Sequence, residues 1–319
     1  MDADPPAFRG APLPLFAAAE TPSLGSHPSR DPHLHRIRTG VYTDAAGWAA
    51  LPPWDRYLLR VHAFRLVNAG AVFSHESAAI LHGLPVFGHP RHIHLFDGRR
   101  ARSLAYGDVR VHTSADRRRT LERDGIRCSP FADVVVDLAR VLPPAFGLAV
   151  ADAALRTGGI TSTELNDLAA AQRNPRGRRK LDWVLARGDL RPESVGESVS
   201  RAVVEWCGFP AADLQTEHRV AGRTYRSDFC WPKHRVIGEF DGWAKYDGHD
   251  PEAAATAVRA EKTREDALRR AGWRIARWDF AGALRVDGLR DALRAAGLPV
   301  ESRVDGRNLR SVGLNPRSE

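Results

Sequence analysis

The sequence predicts a mixed α+β protein built from more than one domain. Its 319 residues exceed what one hydrophobic core normally supports, so two or three domains are expected. In the C-terminal third, short runs with strand-like alternation follow helices that carry clear capping residues. The N-terminal half carries a different series of helices and short strands. We therefore expect an N-terminal α+β region followed by a separate C-terminal domain of mixed elements.

Residues 192–300 form the C-terminal domain in this interpretation. A helix over 194–207 begins at the N-cap Ser194 and is closed by Gly208. A long helix opens at Asp250-Pro251 and stops at Gly272, because proline suits a first turn and glycine a C-terminus. The remaining elements are strands at 214–220, 224–231, 235–241 and 273–280 and a helix at 284–296. The predicted order is α-β-β-β-α-β-α.

Acidic side chains stand at the ends of two of these strands. Glu239 and Asp241 are two residues apart, so they point to the same face of a strand. A tight turn at Pro232-Lys233 would place Asp228 opposite Ile237 and diagonal to Glu239, about 7–8 Å away at Cα. Carboxylates crowded in this way repel one another, and a hard cation relieves the repulsion. The pattern therefore favours a metal-dependent phosphodiesterase.

The same segments resemble the PD-(D/E)XK nuclease superfamily, and more narrowly its branch related to very-short-patch repair endonucleases. The segments that carry the resemblance are Tyr225-Arg226-Ser227-Asp228-Phe229, Gly238-Glu239-Phe240-Asp241-Gly242, Glu261-Lys262-Thr263-Arg264-Glu265-Asp266-Ala267-Leu268 and Gly272-Trp273-Arg274-Ile275. The resemblance implies a restriction-endonuclease-like αβββαβ fold and an endonuclease or nickase that uses Mg²⁺ or Mn²⁺.

Residue by residue, the resemblance implies metal ligands at Asp228 and Glu239, with Glu197 as an accessory ligand. Asp241 stands where the superfamily has its lysine, and it is counted with Asp228 and Glu239 among the catalytic candidates. The lysine is then expected at Lys245, with Lys262 as the alternative.

Other interpretations of the acidic residues stay open. Glu197 lies three residues after Ser194, so it is equally suited to be the glutamate of a capping box. Asp241-Gly242 is also a common turn sequence after a strand.

The chain is basic, with a net charge of +8 and a pI near 9.9, which favours polyanionic partners such as DNA. The candidate phosphate contacts are Arg36, Arg38, Arg178, Arg179, Lys180 and Lys262, although basic runs are most often solvated surface. The three cysteines lack paired spacing, which argues against a disulfide framework and a zinc site. We see no secretory signal and no apolar run of membrane-spanning length, so a cytoplasmic location and no membrane partner are expected.

The N-terminal half divides into a loosely ordered segment (1–35) and a region at 36–171. This region is expected to contain a basic strand pair at 35–42, helices at 53–69, 130–140, 145–156 and 162–171, and strands at 92–96 and 109–112, with a strand leading into a helix at 72–83. Ser74 is a plausible N-cap there, so His75 and Glu76 are interpreted as first-turn residues rather than a catalytic pair. His92 and His94 are interpreted as neighbours on one strand face rather than metal ligands.

Two segments of this region resemble the AbiEi antitoxins of type IV toxin–antitoxin systems. They are Arg38-Thr39-Gly40-Val41-Tyr42 and Ser74-His75-Glu76-Ser77-Ala78-Ala79-Ile80-Leu81-His82-Gly83. The resemblance implies a DNA-binding winged helix and a cognate toxin as partner. The helix-turn-helix expected before the wing is replaced by the Pro- and Gly-containing residues 22–28, so the winged helix is degenerate.

Residues 172–191 are interpreted as a basic linker and 301–319 as a disordered tail. The leading hypothesis for the whole chain is a metal-dependent DNA endonuclease whose N-terminal module regulates or targets it. The alternative is a non-catalytic DNA-binding regulator or antitoxin in which the nuclease-like fold serves only to bind.

Overall fold

The computed structural model describes residues 7–18, 28–220, 222–242, 251–315 and 317, with the side chains of 251–258 and 260 left out. The chain divides into two compact units. Unit 1 comprises residues 1–142, 159–182 and 315–319, and unit 2 comprises 143–158 and 183–314. The prediction of a mixed α+β protein is confirmed, since the described residues form three sheets and many helices. Within the described part of the chain, every helix is too short or too polar to cross a membrane.

The strands are β1 (Phe16–Ala17), β2 (Leu34–Arg38), β3 (Val41–Asp44), β4 (Val72–Phe73), β5 (Ile93–Phe96), β6 (Leu104–Tyr106), β7 (Val109–His112), β8 (Leu121–Arg123), β9 (Ile126–Cys128), β10 (Asp213–Val220), β11 (Arg223–Trp231), β12 (Val236–Asp241) and β13 (Arg274–Asp279). The helices are α1 (Ala45–Ala50), α2 (Pro53–Val67), α3 (His75–Leu81), α4 (Phe131–Val141), α5 (Pro144–Arg156), α6 (Ser162–Ala171), α7 (Arg178–Leu185), α8 (Val195–Trp206), α9 (Pro251–Arg270), α10 (Phe280–Leu284), α11 (Asp287–Ala295) and α12 (Gly306–Leu309).

Unit 1 contains two sheets. The smaller has the order β1-β3-β2 and includes the predicted basic strand pair, while the larger has the order β6-β7-β5-β4-β9-β8. In the larger sheet β5 pairs in parallel with β7, and β4 pairs in parallel with β9. The first 35 residues are not uniformly loose as expected, because β1 pairs with β3 through Phe16 and Ala17.

From α8 to β13, unit 2 has the predicted order α-β-β-β-α-β, whereas the single helix predicted at 284–296 is replaced by α10 and α11, and unit 2 also contains α5. Its sheet runs β10-β11-β12-β13, and β12 and β13 are parallel strands connected through α9. Helix α8 begins where expected, because the Ser194 side chain accepts a hydrogen bond from the backbone N–H of Glu197. Its apolar face is buried, with Val199, Val203 and Trp206 almost inaccessible to solvent. This helix therefore brings its first turn to the sheet in a fixed position.

The register between β11 and β12 differs from the prediction. Residues Pro232–His234 form a 3₁₀ turn that ends at Arg235 in the left-handed region, with φ of 52°. This longer turn pairs Cys230 with Ile237 and ends the ladder at Phe229 and Gly238. The next pair of opposed positions beyond the ladder is Asp228 and Glu239, so Asp228 faces Glu239 rather than Ile237. The correction brings the two carboxylates closer than the diagonal placement did.

Among the described residues, the predicted linker and the predicted tail both contain ordered elements. The linker contains helix α7, and Lys180 Nζ donates to the carbonyls of Val141 and Leu142 at 3.3 and 3.0 Å. After residue 300 the chain contains α12 and a fully buried Val312 instead of a disordered tail. Both segments are polar in sequence, which suggested disorder. Each nevertheless contains a side chain with a structural role, since Lys180 binds backbone carbonyls and Val312 packs in the core.

Gly196 allows the first turn of α8 to approach β12. A Cβ atom added at this glycine would lie 1.8 Å from the ring of Phe240. The neighbouring residues in sequence are Glu197 on the helix and Glu239 and Asp241 on the strand. The close contact between Gly196 and the Phe240 ring therefore sets the distance between Glu197 on α8 and the acidic residues of β12.

We expect Gly196→Ala to destabilise unit 2 by about 1–3 kcal/mol, because the added methyl group overlaps the Phe240 ring. Urea unfolding followed by tryptophan fluorescence measures this loss. Gly306→Ala at the start of α12 is the matched control, since its Cβ meets only the end of the Arg310 side chain, at 3.5 Å. Adding Phe240→Ala should recover part of the loss; strictly additive effects of the two substitutions would contradict the overlap.

Candidate functional site

Three acidic side chains from three elements of unit 2 converge at one end of its sheet. Glu197 comes from the first turn of α8, Asp228 from β11 and Glu239 from β12. Glu197 and Glu239 are each only 6% exposed, and Asp228 is half-buried. The three residues that the sequence suggested as metal ligands therefore lie at the same end of this sheet.

Gln215 of β10 links two of these carboxylates. Its Nε2 atom donates to Oε2 of Glu197 at 2.8 Å and to Oδ1 of Asp228 at 3.4 Å. Gln215 has a φ of 53°, a left-handed conformation that is uncommon for a residue with a side chain. Such a backbone costs on the order of 1–3 kcal/mol and is found most often at functional sites.

The sequence reasoning missed Gln215. The available signal was weak, because one polar residue in a strand-patterned run does not reveal a left-handed backbone. Its position level with Asp228 follows from the register of β10 and β11, in which Leu214 pairs with Phe229 and Thr216 with Ser227.

Asp228 is anchored to the neighbouring strand by its side chain. Its Oδ2 atom accepts a hydrogen bond from the backbone N–H of Phe240 at 2.9 Å. Beyond the end of the β11–β12 backbone ladder, the Asp228 carboxylate thus supplies the hydrogen-bond acceptor for a backbone N–H of β12. This contact holds the charge of Asp228 beside the strand segment that carries Glu239.

Glu197 belongs to the start of α8, but its carboxylate does not complete a capping box with the backbone N–H of Ser194. Its backbone N–H is capped by Ser194 Oγ at 3.1 Å, as in a helix start. Its Oε2 atom accepts from the backbone N–H of Glu193 at 2.9 Å in addition to the Gln215 amide. Burial raises the pKa of Glu197, and the charge of Asp228 raises it further. The side chain is therefore part of the helix start and part of the acidic cluster.

Glu239 is paired with an arginine of α9. Arg264 Nη2 lies 2.5 Å from Oε1 of Glu239 and also donates to the Arg226 carbonyl at 2.8 Å. Burial nevertheless raises the pKa of Glu239 to about 7; Arg264 opposes this shift, and the charge of Asp228 adds to it.

Asp241 lies beside a second arginine. Its Oδ1 atom is 3.5 Å from Nη1 of Arg277 on the parallel strand β13. Arg277 also forms an ion pair with Glu261 and lies 3.4 Å from Glu265. Glu239 and Asp241 therefore contact different arginines, and the sequence reasoning selected neither arginine.

The lysine positions are less informative. Lys245 lies outside the described residues, and Lys262 is exposed on α9. Among the described residues, the cations in contact with Glu239 and Asp241 are Arg264 and Arg277.

The candidate DNA contacts divide into exposed and engaged side chains. Arg36 and Arg179 are exposed. Arg38 instead forms two hydrogen bonds with Asp108, at 3.0 and 2.5 Å, and Arg178 pairs with Asp182 at 2.7 Å. Lys180 is engaged with backbone carbonyls, as described above. The exposed members are the better candidates for contact with phosphate.

The donor chemistry of the acidic cluster suits a hard cation, since Glu197, Asp228 and Glu239 offer only carboxylate oxygens. In this arrangement, however, no three His, Cys, Asp or Glu side chains of the described residues are close enough to hold an ion together. The Glu239 carboxylate instead contacts the guanidinium of Arg264. The carboxylate oxygens are suitable ligands for a divalent cation, but in this structure Glu239 is paired with Arg264.

Comparison with known proteins finds two similar curated sequences, both uncharacterized proteins from strains of Mycobacterium tuberculosis. Each is 34% identical over 141 residues, which is 44% of this chain and 50% of the relative. This chain thus spans about half the length of the curated relatives it matches. No family model and no solved structure matches the chain.

We expect Glu239→Gln to change the pH dependence of stability in the presence of EDTA. The folded protein keeps the pKa of Glu239 at about 7, against 4.5 when unfolded. The native state therefore binds the extra proton between these values and loses stability as pH rises through this window. Relative to the glutamine variant, the wild type should lose on the order of 3 kcal/mol from about pH 4.5 to about pH 7.5.

Urea unfolding of both proteins at a series of pH values measures this difference. The constant penalty of leaving Arg264 without its partner does not affect the slope. A pH-independent difference between the two proteins would show that Glu239 ionises normally.

Proposed function

We propose that unit 2 is a divalent-metal-dependent DNA endonuclease or nickase. The observation that carries the proposal is the link from Glu197 through the Gln215 amide to Asp228, with Glu239 beside it on the next strand. Like charges held this close at a strand end stabilise a bound cation and are costly without one. The αβββαβ order of the elements from α8 to β13 also supports the proposal, since it is the order that the PD-(D/E)XK resemblance implies.

In this proposal Asp228 and Glu197 hold the ion with Glu239. Mg²⁺ or Mn²⁺ bound there would polarise the scissile phosphate and lower the pKa of a coordinated water. Gln215 keeps the first two carboxylates oriented through its two hydrogen bonds. Without an ion, burial raises the pKa of Glu239 to about 7, and a bound cation would favour its charged form again.

Arg264 and Arg277 are the proposed cations near the scissile phosphate, in the role that the superfamily gives to lysine. A guanidinium can donate two parallel hydrogen bonds to a phosphate, and it stays charged at any working pH. With an ion held at Glu239, Arg264 would be available for this role. DNA as the substrate is supported by the net charge of +8, which favours a polyanion.

A second candidate function is a DNA-binding regulator or antitoxin without catalysis. It is favoured by the ion pairs of Glu239 and Asp241 with Arg264 and Arg277, which neutralise both acids without any metal. The β2–β3 strand pair with its exposed Arg36 would then serve as a wing against phosphate, and a cognate toxin would be the partner.

Plasmid cleavage separates the two functions. Supercoiled DNA with Mg²⁺ or Mn²⁺ should be nicked by the wild type, and Asp228→Asn should lower the rate by about a hundredfold or more, because one ligand charge and its orientation are lost. EDTA should have the same effect as the substitution.

The matched control is Glu217→Gln on β10, an exposed position that removes the same charge from the same sheet. It should cut like the wild type. Retained DNA binding in a gel-shift assay, with no metal-dependent cutting by any of the proteins, would favour the regulator instead.

A further inference from the structure

A second buried polar cluster lies in unit 1, far in sequence from the acidic residues of unit 2. It contains Glu76 from α3, His94 from β5, His112 from β7 and the guanidinium of Arg317. The Glu76 and His94 side chains are 5% and 1% exposed, and Arg317 is 12% exposed. A helix-start position for Glu76 and a strand-face position for His94 do not explain why these buried polar side chains contact one another.

The walls of the cluster are fixed by the fold of unit 1. His112 lies level with Phe96 in the parallel pair of β5 and β7. Ser77 Oγ accepts from the backbone N–H of His94 at 2.9 Å and is bonded to the Tyr57 hydroxyl at 2.7 Å. Tyr57 donates its single proton to the His92 carbonyl at 2.8 Å, so Ser77 is the donor to Tyr57. These bonds hold α3 and β5 in register around the cluster.

Arg317 enters the cluster with its guanidinium fork facing a carboxylate. Its Nε atom pairs with Oε1 of Glu76, and its Nη2 atom donates to Oε2 of the same residue at 2.7 Å. The backbone carbonyl of Arg317 also accepts from the Arg91 N–H at 3.2 Å, and Asn315 Nδ2 donates to the Phe87 carbonyl at 3.1 Å. A two-point contact of this kind is specific to the planar guanidinium and is not open to a lysine.

The histidine tautomers follow from these contacts. Arg317 Nη2 can only donate, and it lies 3.2 Å from His94 Nδ1, so this nitrogen is an acceptor. His112 Nε2 lies 2.8 Å from the same nitrogen and therefore carries the proton that bridges the two rings. His94 then carries its own proton on Nε2, which lies 3.4 Å from Oε2 of Glu76.

The cluster thus offers one negative charge to a single cation, and the lone pair of His94 Nδ1 is shared between that cation and the His112 N–H. Burial lowers the pKa of His94 to about 3 and that of His112 to about 4, so both rings are neutral at physiological pH. His75 stacks on His112 with ring centroids 3.7 Å apart and is also buried. The carboxylate of Glu76 would be strongly destabilised here without a cation.

We propose that Glu76, His94 and His112 form a guanidinium-binding site that holds the Arg317 side chain as its internal ligand and accepts a small guanidinium compound when that side chain is removed. The ligand class is set by the two-point contact with Glu76 together with the third contact to His94 Nδ1. An ammonium group supplies the charge but not this planar arrangement of donors.

Chemical rescue tests the proposal on the full-length chain. Arg317→Ala should lower the Tm by a few degrees, because Glu76 is left buried without its partner. Methylguanidinium chloride at millimolar concentration and constant ionic strength should raise the Tm of this variant again, saturably and by at least half of the loss. Methylammonium chloride should give no saturable rise.

Three further proteins make the result specific. The wild type should not respond to methylguanidinium, since its site is filled. Arg303→Ala, at an exposed arginine of the same C-terminal segment, should melt and respond like the wild type. The double variant Glu76→Gln with Arg317→Ala should lose the rescue.

The proposal is overturned if Arg317→Ala shows no saturable response to methylguanidinium. It is also overturned if methylammonium rescues equally, or if the double variant responds as well as the single one. Isothermal titration of Arg317→Ala with methylguanidinium gives the same decision independently of thermal stability.

Discussion

The side-chain contacts of Asp228 are the constraint on which the candidate site depends. One carboxylate oxygen accepts the backbone N–H of Phe240, and the other receives the Gln215 amide that also holds Glu197. These contacts keep like charges close together after the β11–β12 ladder has ended. Gly196 contributes from the other side, because only a residue without a side chain lets α8 approach the Phe240 ring.

The electrostatics of the cluster then follow from burial and from two arginines. Glu197 and Glu239 are buried beside Asp228, which raises the pKa of both carboxyl groups. The charge of Arg264 opposes part of this pKa increase at Glu239. The Glu76 cluster in unit 1 follows the same physical rule, because a buried carboxylate is tolerated when a guanidinium pairs with it.

Local signals were sufficient to predict most elements of unit 2. The Ser194 cap and Gly208 gave helix α8 to within a residue, and the β-branched and aromatic pattern gave strand β11. The β11–β12 register was wrong because Pro232–His234 form a 3₁₀ turn that ends in a left-handed residue, which composition alone does not reveal. The choice of Asp228, Glu239 and Glu197 came from spacing and resemblance, and their role as metal ligands stays a prediction.

The remaining features depend on contacts between residues distant in sequence. Arg264 meets Glu239 across 25 positions, and Arg317 meets Glu76 across 241; no local pattern encodes either pair. The polar composition of 301–319 suggested disorder, yet Val312 is fully buried. Gln215 was missed for a related reason, since its left-handed backbone is imposed by its neighbours in the sheet.

Calorimetric titration of the metal-free protein with Mn²⁺ is the most direct measurement of whether the Glu197–Asp228–Glu239 cluster is a cation site. The account predicts saturable binding near neutral pH that is lost or strongly weakened in Asp228→Asn and retained in Glu217→Gln. Absence of binding, or equal binding by the wild type and Asp228→Asn, would contradict it.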